Sequence, residues 1–195
     1  MKKPAKQPQG AGRSSFSLVE PEKVFRELQL KSGMTFLDMA CGAGQYALMA
    51  LKYVGAGGFV CAIDLWQEGI DTLEKQIVTG GIQNLQALIG DISKRMPIET
   101  DSVDMCFMAT ALHELTLTDT ADMALEEAAR LLKPDGSLAI IEFKKIPGPP
   151  GPPLHLRLDP GDVAEIVTPH GFAGKSVTEV GPYTFLMTFD RHEAS

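Results

Sequence analysis

Apolar positions along this chain follow two alternating rhythms. Short, nearly unbroken apolar runs occur at 34–39, 59–63, 85–89, 103–108 and 137–143. Runs of that length predict strands buried on both faces. Between them lie segments whose apolar residues recur three and four apart, the spacing of one helix face. These are Pro21–Leu30, with Val24, Phe25 and Leu28; Gln45–Tyr53, with Ala47, Leu48 and Leu51; Glu68–Thr79; and Thr120–Leu132. The punctuation agrees with that division. Pro21 stands at a first helical turn with Glu20 and Glu22 near its positive end, and Lys31-Ser32-Gly33 closes that helix. Gly55–Gly58 and Gly80-Gly81 end the next two, Thr118 or Asp119 is placed to cap the fourth, and Lys133-Pro134 stops it before an Asp135-Gly136 turn.

Strand–helix alternation of this kind implies a parallel sheet covered on both faces, joined by right-handed crossovers: an α/β, doubly wound fold. The rhythm changes near the end. Pro147–Pro153 is too rich in Pro and Gly for helix or central strand. Asp159–His170 reads as a helix capped by Asp159 with Pro160 in its first turn. Lys175–Val180 and Tyr183–Phe189 then read as strands separated by Gly181-Pro182, a link too short for a parallel crossover, so this pair is antiparallel. No internal repeat is visible. The expected organisation is a flexible arm over residues 1–15, basic at Lys2, Lys3 and Lys6, followed by a single domain over residues 16–195.

Composition narrows the function classes. The 195 residues are 44% hydrophobic and 22% charged, with a formal net charge of −7. That balance argues against a broad nucleic-acid footprint, which needs clustered Lys and Arg. Cys41, Cys61 and Cys106 lie in or beside apolar stretches, with no metal-ligand spacing; they read as reduced cysteines of a cytoplasmic protein with no structural metal. No apolar run reaches the roughly 20 residues of a membrane span, and no apolar core follows the basic N-terminus as in a secretion signal.

In an open parallel sheet, ligands bind beyond the carboxyl ends of the strands. Those ends here carry Asp38 and Gly42-Ala43-Gly44, then Asp64, then Asp91, then Ala109–Glu114. Glycines let the backbone turn tightly and approach a ligand, with helical N–H groups pointing at it. A carboxylate such as Asp64 can accept bonds from ribose hydroxyls, and Asp91 can accept one from an adenine amino group. The set reads as a nucleoside site. Gly42, Gly44 and Ala47 with Asp64 also satisfy a dinucleotide-binding fingerprint, so an NAD-dependent oxidoreductase is one alternative. Asp38 weighs against it: an acid before the first glycine suits an ammonium-bearing ligand better than a pyrophosphate.

Leu37-Asp38-Met39-Ala40-Cys41-Gly42-Ala43-Gly44 resembles the first motif of class I S-adenosylmethionine-dependent methyltransferases, with Ala40 in place of its usual first glycine. Ile63-Asp64-Leu65 resembles the family's ribose-binding motif and Gly90-Asp91-Ile92 its adenine-binding motif. The stretch 126–142, containing Ala129-Arg130-Leu131-Leu132-Lys133-Pro134-Asp135-Gly136, resembles the helix and turn before its fifth strand. The resemblance runs from about Phe16 to Phe189 and is nearest the small branch with the ubiquinone/menaquinone-biosynthesis enzymes. It implies a mostly parallel, seven-stranded Rossmann-like sheet with an antiparallel last strand. It also implies S-adenosyl-L-methionine as cofactor, bound by Asp38, Ala40, Gly42, Gly44, Asp64, Leu65, Asp91 and Ile92, and methyl transfer by direct displacement to a small molecule. A module that binds the cofactor without turnover is a second alternative.

Other residues are candidates on position alone. His113 and Glu114 follow the fourth strand, where acceptor and sulfonium meet. His113 is a candidate base, against the plainer reading that it packs beneath the site. His155, Arg157 and Tyr183 are candidate acceptor contacts, against the plainer reading of solvated loop groups. Trp66 either flanks the nucleoside or packs at the surface. The arm before Ser17 and the Pro147–Pro153 segment are candidates for a lid that excludes water.

Overall fold

The computed structural model describes residues 12–192. Its strands are β1 (Thr35–Met39), β2 (Phe59–Asp64), β3 (Leu85–Ile89), β4 (Val103–Ala109), β5 (Leu132–Phe143), β6 (Phe172–Glu179) and β7 (Thr184–Arg191). Its helices are α1 (Pro21–Leu28), α2 (Gln45–Val54), α3 (Gln67–Gly80), α4 (Leu112–Leu117), α5 (Ala121–Leu131) and α6 (Pro160–Val167). The strands form one sheet in the order β3-β2-β1-β4-β5-β7-β6. β1 to β5 are mutually parallel, and β7 runs antiparallel to both β5 and β6. From β1 the chain moves outward to β2 and β3, then returns to place β4 on the other side of β1. The order therefore reverses between β1 and β4, and the crevice this creates lies past their carboxyl ends.

Alternate strand residues point to opposite faces, which gives two apolar layers. Leu37, Met39, Cys61, Ile63, Cys106 and Met108 pack against residues of α5 and α6 on one face. Phe36, Val60, Met105 and Phe107 pack against α1, α2 and α3 on the other. The three cysteines are free and buried within these layers. Among the described residues no helix is long and apolar enough to cross a membrane.

The elements depart from the sequence reading in three places. First, neither Thr118 nor Asp119 caps α5. Thr120 stands at its N-terminus without a side-chain cap, because the Thr120 hydroxyl bonds the Thr118 hydroxyl and the Leu115 carbonyl instead. Second, the Asp135-Gly136 turn is absorbed into β5. That strand begins at Leu132, opposite Val103, but its next partner pair is Met105 with Ser137, so the Lys133–Gly136 segment bulges out of register without leaving the strand. Third, α4 follows β4 where no helix was expected. The cap of α6 is as read, and fuller: Asp159 accepts from Gly161 and Asp162, while the Asp162 side chain accepts from the Asp159 backbone.

Candidate functional site

The loop from β1 into α2 sets the site. Asp38 is 1% exposed, and its Oδ2 accepts a hydrogen bond of 3.1 Å from the Ala47 backbone in the first turn of α2. No cation pairs with it among the described residues. Burial is the main force that pushes its pKa up to about 8; the Ala47 bond opposes this and the nearby Asp64 charge adds to it. Ala40, Gly42 and Gly44 all take left-handed backbone, with φ of 60°, 58° and 74°. Ala40 holds this conformation with a Cβ, at a strain of about 1–2 kcal/mol. A Cβ on Gly42 would meet nothing within 4 Å, so the loop presents bare backbone to open space. Gly44 stands at the N-terminus of α2, outside the lining of the cleft.

Asp64 ties β2 to that loop. Its Oδ2 accepts from the Gly42 N–H and its Oδ1 from the Trp66 N–H, each at 2.7 Å. Helix α3 fits tightly beneath: a Cβ on Gly69 would lie 2.4 Å from the Trp66 ring and 2.7 Å from the Gly42 carbonyl oxygen. Asp91, after β3, accepts from both the N–H and the hydroxyl of Ser93 through Oδ1. Its Oδ2 has no partner among the described residues.

These groups line one cleft of about 660 Å³. Asp38, Ala40, Gly42, Asp64, Leu65, Asp91 and Ile92 all face it, as do Glu114, Leu115 and Leu117 from α4 and Thr110 from the turn before it. Thr110 is a β-branched residue with φ of 54°, an uncommon conformation that clusters at functional sites. Trp66 also lines the cleft, and its buried Nε1 has no hydrogen-bond partner among the described residues. Residues 12–15, part of the expected arm, help line the cleft, with the Ser15 hydroxyl 3.1 Å from the Tyr46 hydroxyl. The rest of that arm, residues 1–11, lies outside the described residues.

The remaining candidates divide. Glu114 faces the cleft. Burial raises its pKa most; His113 and Arg13 lower it, while Glu142 and Asp64 raise it. His113 lies outside the cleft lining, 4% exposed, with Nδ1 at 3.0 and 2.9 Å from the two oxygens of the fully buried Glu142. Burial disfavours its protonated form, but the hydrogen bond and charge of Glu142 outweigh that and hold its pKa above the ordinary value. His155, Arg157 and Tyr183 are not part of the cleft. The reading of Arg157 as an acceptor contact is corrected by its bonds: its guanidinium donates to the carbonyls of Pro152, Lys144, Ile146, Gly148 and Pro150. It pins the Pro147–Pro153 segment, which also lies off the cleft. Sequence reasoning placed Thr110 at the site only within the stretch Ala109–Glu114, and it missed Arg13, Tyr46 and Glu142. Only Glu142 left a signal, as a carboxylate inside the apolar run 138–143.

The donor set fits S-adenosylmethionine. Four carboxylates around one cleft, those of Asp38, Asp64, Asp91 and Glu114, favour a cation over a pyrophosphate. Asp38 wants a positive partner, and the open face of Gly42 admits a ligand against the backbone.

Comparison with known proteins gives the same direction. Residues 37–140, over half of the chain, match a family model described as a methyltransferase domain. The chain is 32% identical over 129 residues to a demethylmenaquinone methyltransferase of Lactobacillus johnsonii, covering 66% of this chain and 51% of that protein. It is 31% identical over 117 residues to the ubiquinone/menaquinone biosynthesis C-methyltransferase UbiE of Methylococcus capsulatus, covering 60% and 46%. It thus spans about half the length of the curated relatives it matches. Over nearly its whole length it superposes on the crystal structure of a SAM-dependent methyltransferase from Aquifex aeolicus. That match has a TM-score of 0.82 and 35% identity and covers 94% of this chain and 95% of the other.

Proposed function

This chain belongs to the methyltransferase domain family, and from that premise we propose that it catalyses methyl transfer from S-adenosylmethionine to a small-molecule acceptor. The observation that carries the reading is Asp38: a carboxylate 1% exposed, with no cationic partner among the described residues, in a cleft lined by three further carboxylates. Asp38 would hold the ammonium of the methionine moiety, Asp64 the ribose hydroxyls and Asp91, through the Oδ2 that no described residue bonds, the adenine amino group. Leu65 and Ile92 would flank the base. When bound, the cofactor supplies a sulfonium-activated methyl group.

The chain's own contribution is positioning and exclusion of water. Residues 12–15 line part of the cleft. The wall beyond β4 mixes Ala109, Ala111, Leu115 and Leu117 with the hydroxyls of Thr110, Thr118 and Thr120 and the carboxyl of Glu114. That wall suits a largely apolar acceptor that carries polar groups for Glu114 and the threonine hydroxyls. Two relatives are named for quinone methylation, which supports a quinone-type acceptor. Buried unpaired cysteines support action in the cytoplasm.

The test is transfer of isotope-labelled methyl from S-adenosylmethionine to a panel of reduced quinones. Labelled product that disappears in Asp38→Asn is expected. Cofactor binding with no label on any acceptor would leave a binding module in place of an enzyme.

A further inference from the structure

Among the described residues, the Nε1 of Trp66 is the only buried side-chain nitrogen or oxygen with no hydrogen-bond partner. A buried donor left unpaired carries the full cost of losing water. An indole N–H inside a protein ordinarily finds an acceptor, and an aromatic ring without one would pack apolar surroundings at no such cost. Packing alone therefore gives no reason for an indole here. Trp66 also lines the cleft.

The backbone of Trp66 is fixed at both ends. Its N–H donates to Asp64 Oδ1 at 2.7 Å, and its carbonyl accepts from Gly69 and Ile70 in the first turn of α3, each at 3.1 Å. One ring edge seats on the glycine junction, where a Cβ on Gly69 would stand 2.4 Å from Cε3 and 2.7 Å from the Gly42 carbonyl oxygen. The other edge, Cζ2 and Cη2 beside Nε1, lies against Gly12, where a Cβ would stand 3.7 and 3.6 Å away. Asp64 accepts one backbone N–H on each oxygen, from Gly42 and from Trp66. A carboxylate has about four acceptor positions, so two remain for hydroxyl donors. A hydroxyl that donates to Asp64 still has oxygen lone pairs to fill, and Trp66, two residues along the same turn, carries the spare donor.

We infer that the Trp66 indole N–H is a binding group for the cofactor ribose: one ribose hydroxyl donates to Asp64 and accepts from Nε1. The inference rests on the cofactor reading proposed above and adds a residue that distinguishes ribose from deoxyribose. Gly12 lies against the edge that carries Nε1, so the ribose reaches the donor as Gly12 shifts or the indole turns.

The test uses the single tryptophan of the chain, whose indole N–H gives one cross-peak in a proton–nitrogen spectrum of the full-length protein. Titration with S-adenosylhomocysteine is expected to move the indole proton downfield, the direction of a new hydrogen bond. An indole proton that does not move downfield in the saturated protein would overturn the inference, and that measurement needs no variant to fold. Trp66→Phe keeps an aromatic ring and removes the donor. It is expected to weaken S-adenosylhomocysteine binding about tenfold in calorimetry. With the 2′-deoxy and 3′-deoxy compounds, that loss should vanish for the one lacking the bonded hydroxyl and persist for the other. An equal loss for all three compounds, the outcome of a merely structural role, would overturn the inference. If S-adenosylhomocysteine fails to bind the wild-type protein, the cofactor reading fails and this inference with it. If it binds wild type and Trp66→Phe equally, this inference alone fails.

Discussion

Asp38 lies against the first turn of α2 with a pKa near 8, far above its ordinary value of 3.8, chiefly through burial. A carboxyl whose folded-state pKa is raised favours folding fully only below its unfolded value. The free protein therefore loses stability as pH rises from about 4 to about 8 through this group. An ammonium ligand demands the ionised form. Affinity for S-adenosylhomocysteine should thus rise with pH between 6 and 8, by up to about tenfold per unit. Calorimetry in buffers of different ionisation enthalpy should show proton release, and flat affinity across that range would contradict the assignment. Ala40 gives a second prediction. Its φ of 60° suits glycine, so Ala40→Gly should raise stability in chemical denaturation by about 0.5–1 kcal/mol, strain relief less the added chain entropy. Asp64 and Asp91 were legible in the sequence because each follows an apolar run at a strand end, and Asp38 because it interrupts the first such run just before the glycine loop. The partner of His113 was not. Glu142 is 29 residues away, and only strand β5 brings it there.

Arg157 shows how an element can mislead a reading by position. A cation after a Pro/Gly-rich stretch looks available to an anionic acceptor, yet five carbonyls of and around that stretch take up its donors. Arg157→Leu should lower stability by about 2–4 kcal/mol while leaving S-adenosylhomocysteine affinity unchanged; a matching loss of affinity would return Arg157 to the site. The junction of α3 with the glycine loop predicts the opposite pairing. Gly69→Ala places a methyl group 2.7 Å from the Gly42 carbonyl oxygen, so stability should fall by about 1–3 kcal/mol and affinity should fall with it. The longer helices and the parallel strands were legible from periodicity. Helix α4, with six residues, is too short to show a period, and the β5 bulge depends on pairing with β4 that no local signal encodes.

The strand order is what turns separate residues into a site. Reversal between β1 and β4 brings Asp38, Asp64 and Asp91 to one side of the cleft and Glu114 to the other. The antiparallel end of the sheet followed from the short link before β7. The placement of residues 12–15 in the lining of the cleft did not follow from anything local, since a polar segment without periodicity carries no sign of what it packs against. Taken whole, the cleft is built for S-adenosylmethionine rather than a dinucleotide. The most direct test is calorimetric titration of the purified protein with S-adenosylhomocysteine and, separately, with NAD, repeated on Asp91→Ala. Roughly micromolar binding of the homocysteine compound, a loss of about 1–3 kcal/mol on removing the Asp91 carboxylate, and no heat with NAD are expected. Binding of NAD, with no response to S-adenosylhomocysteine, would contradict it.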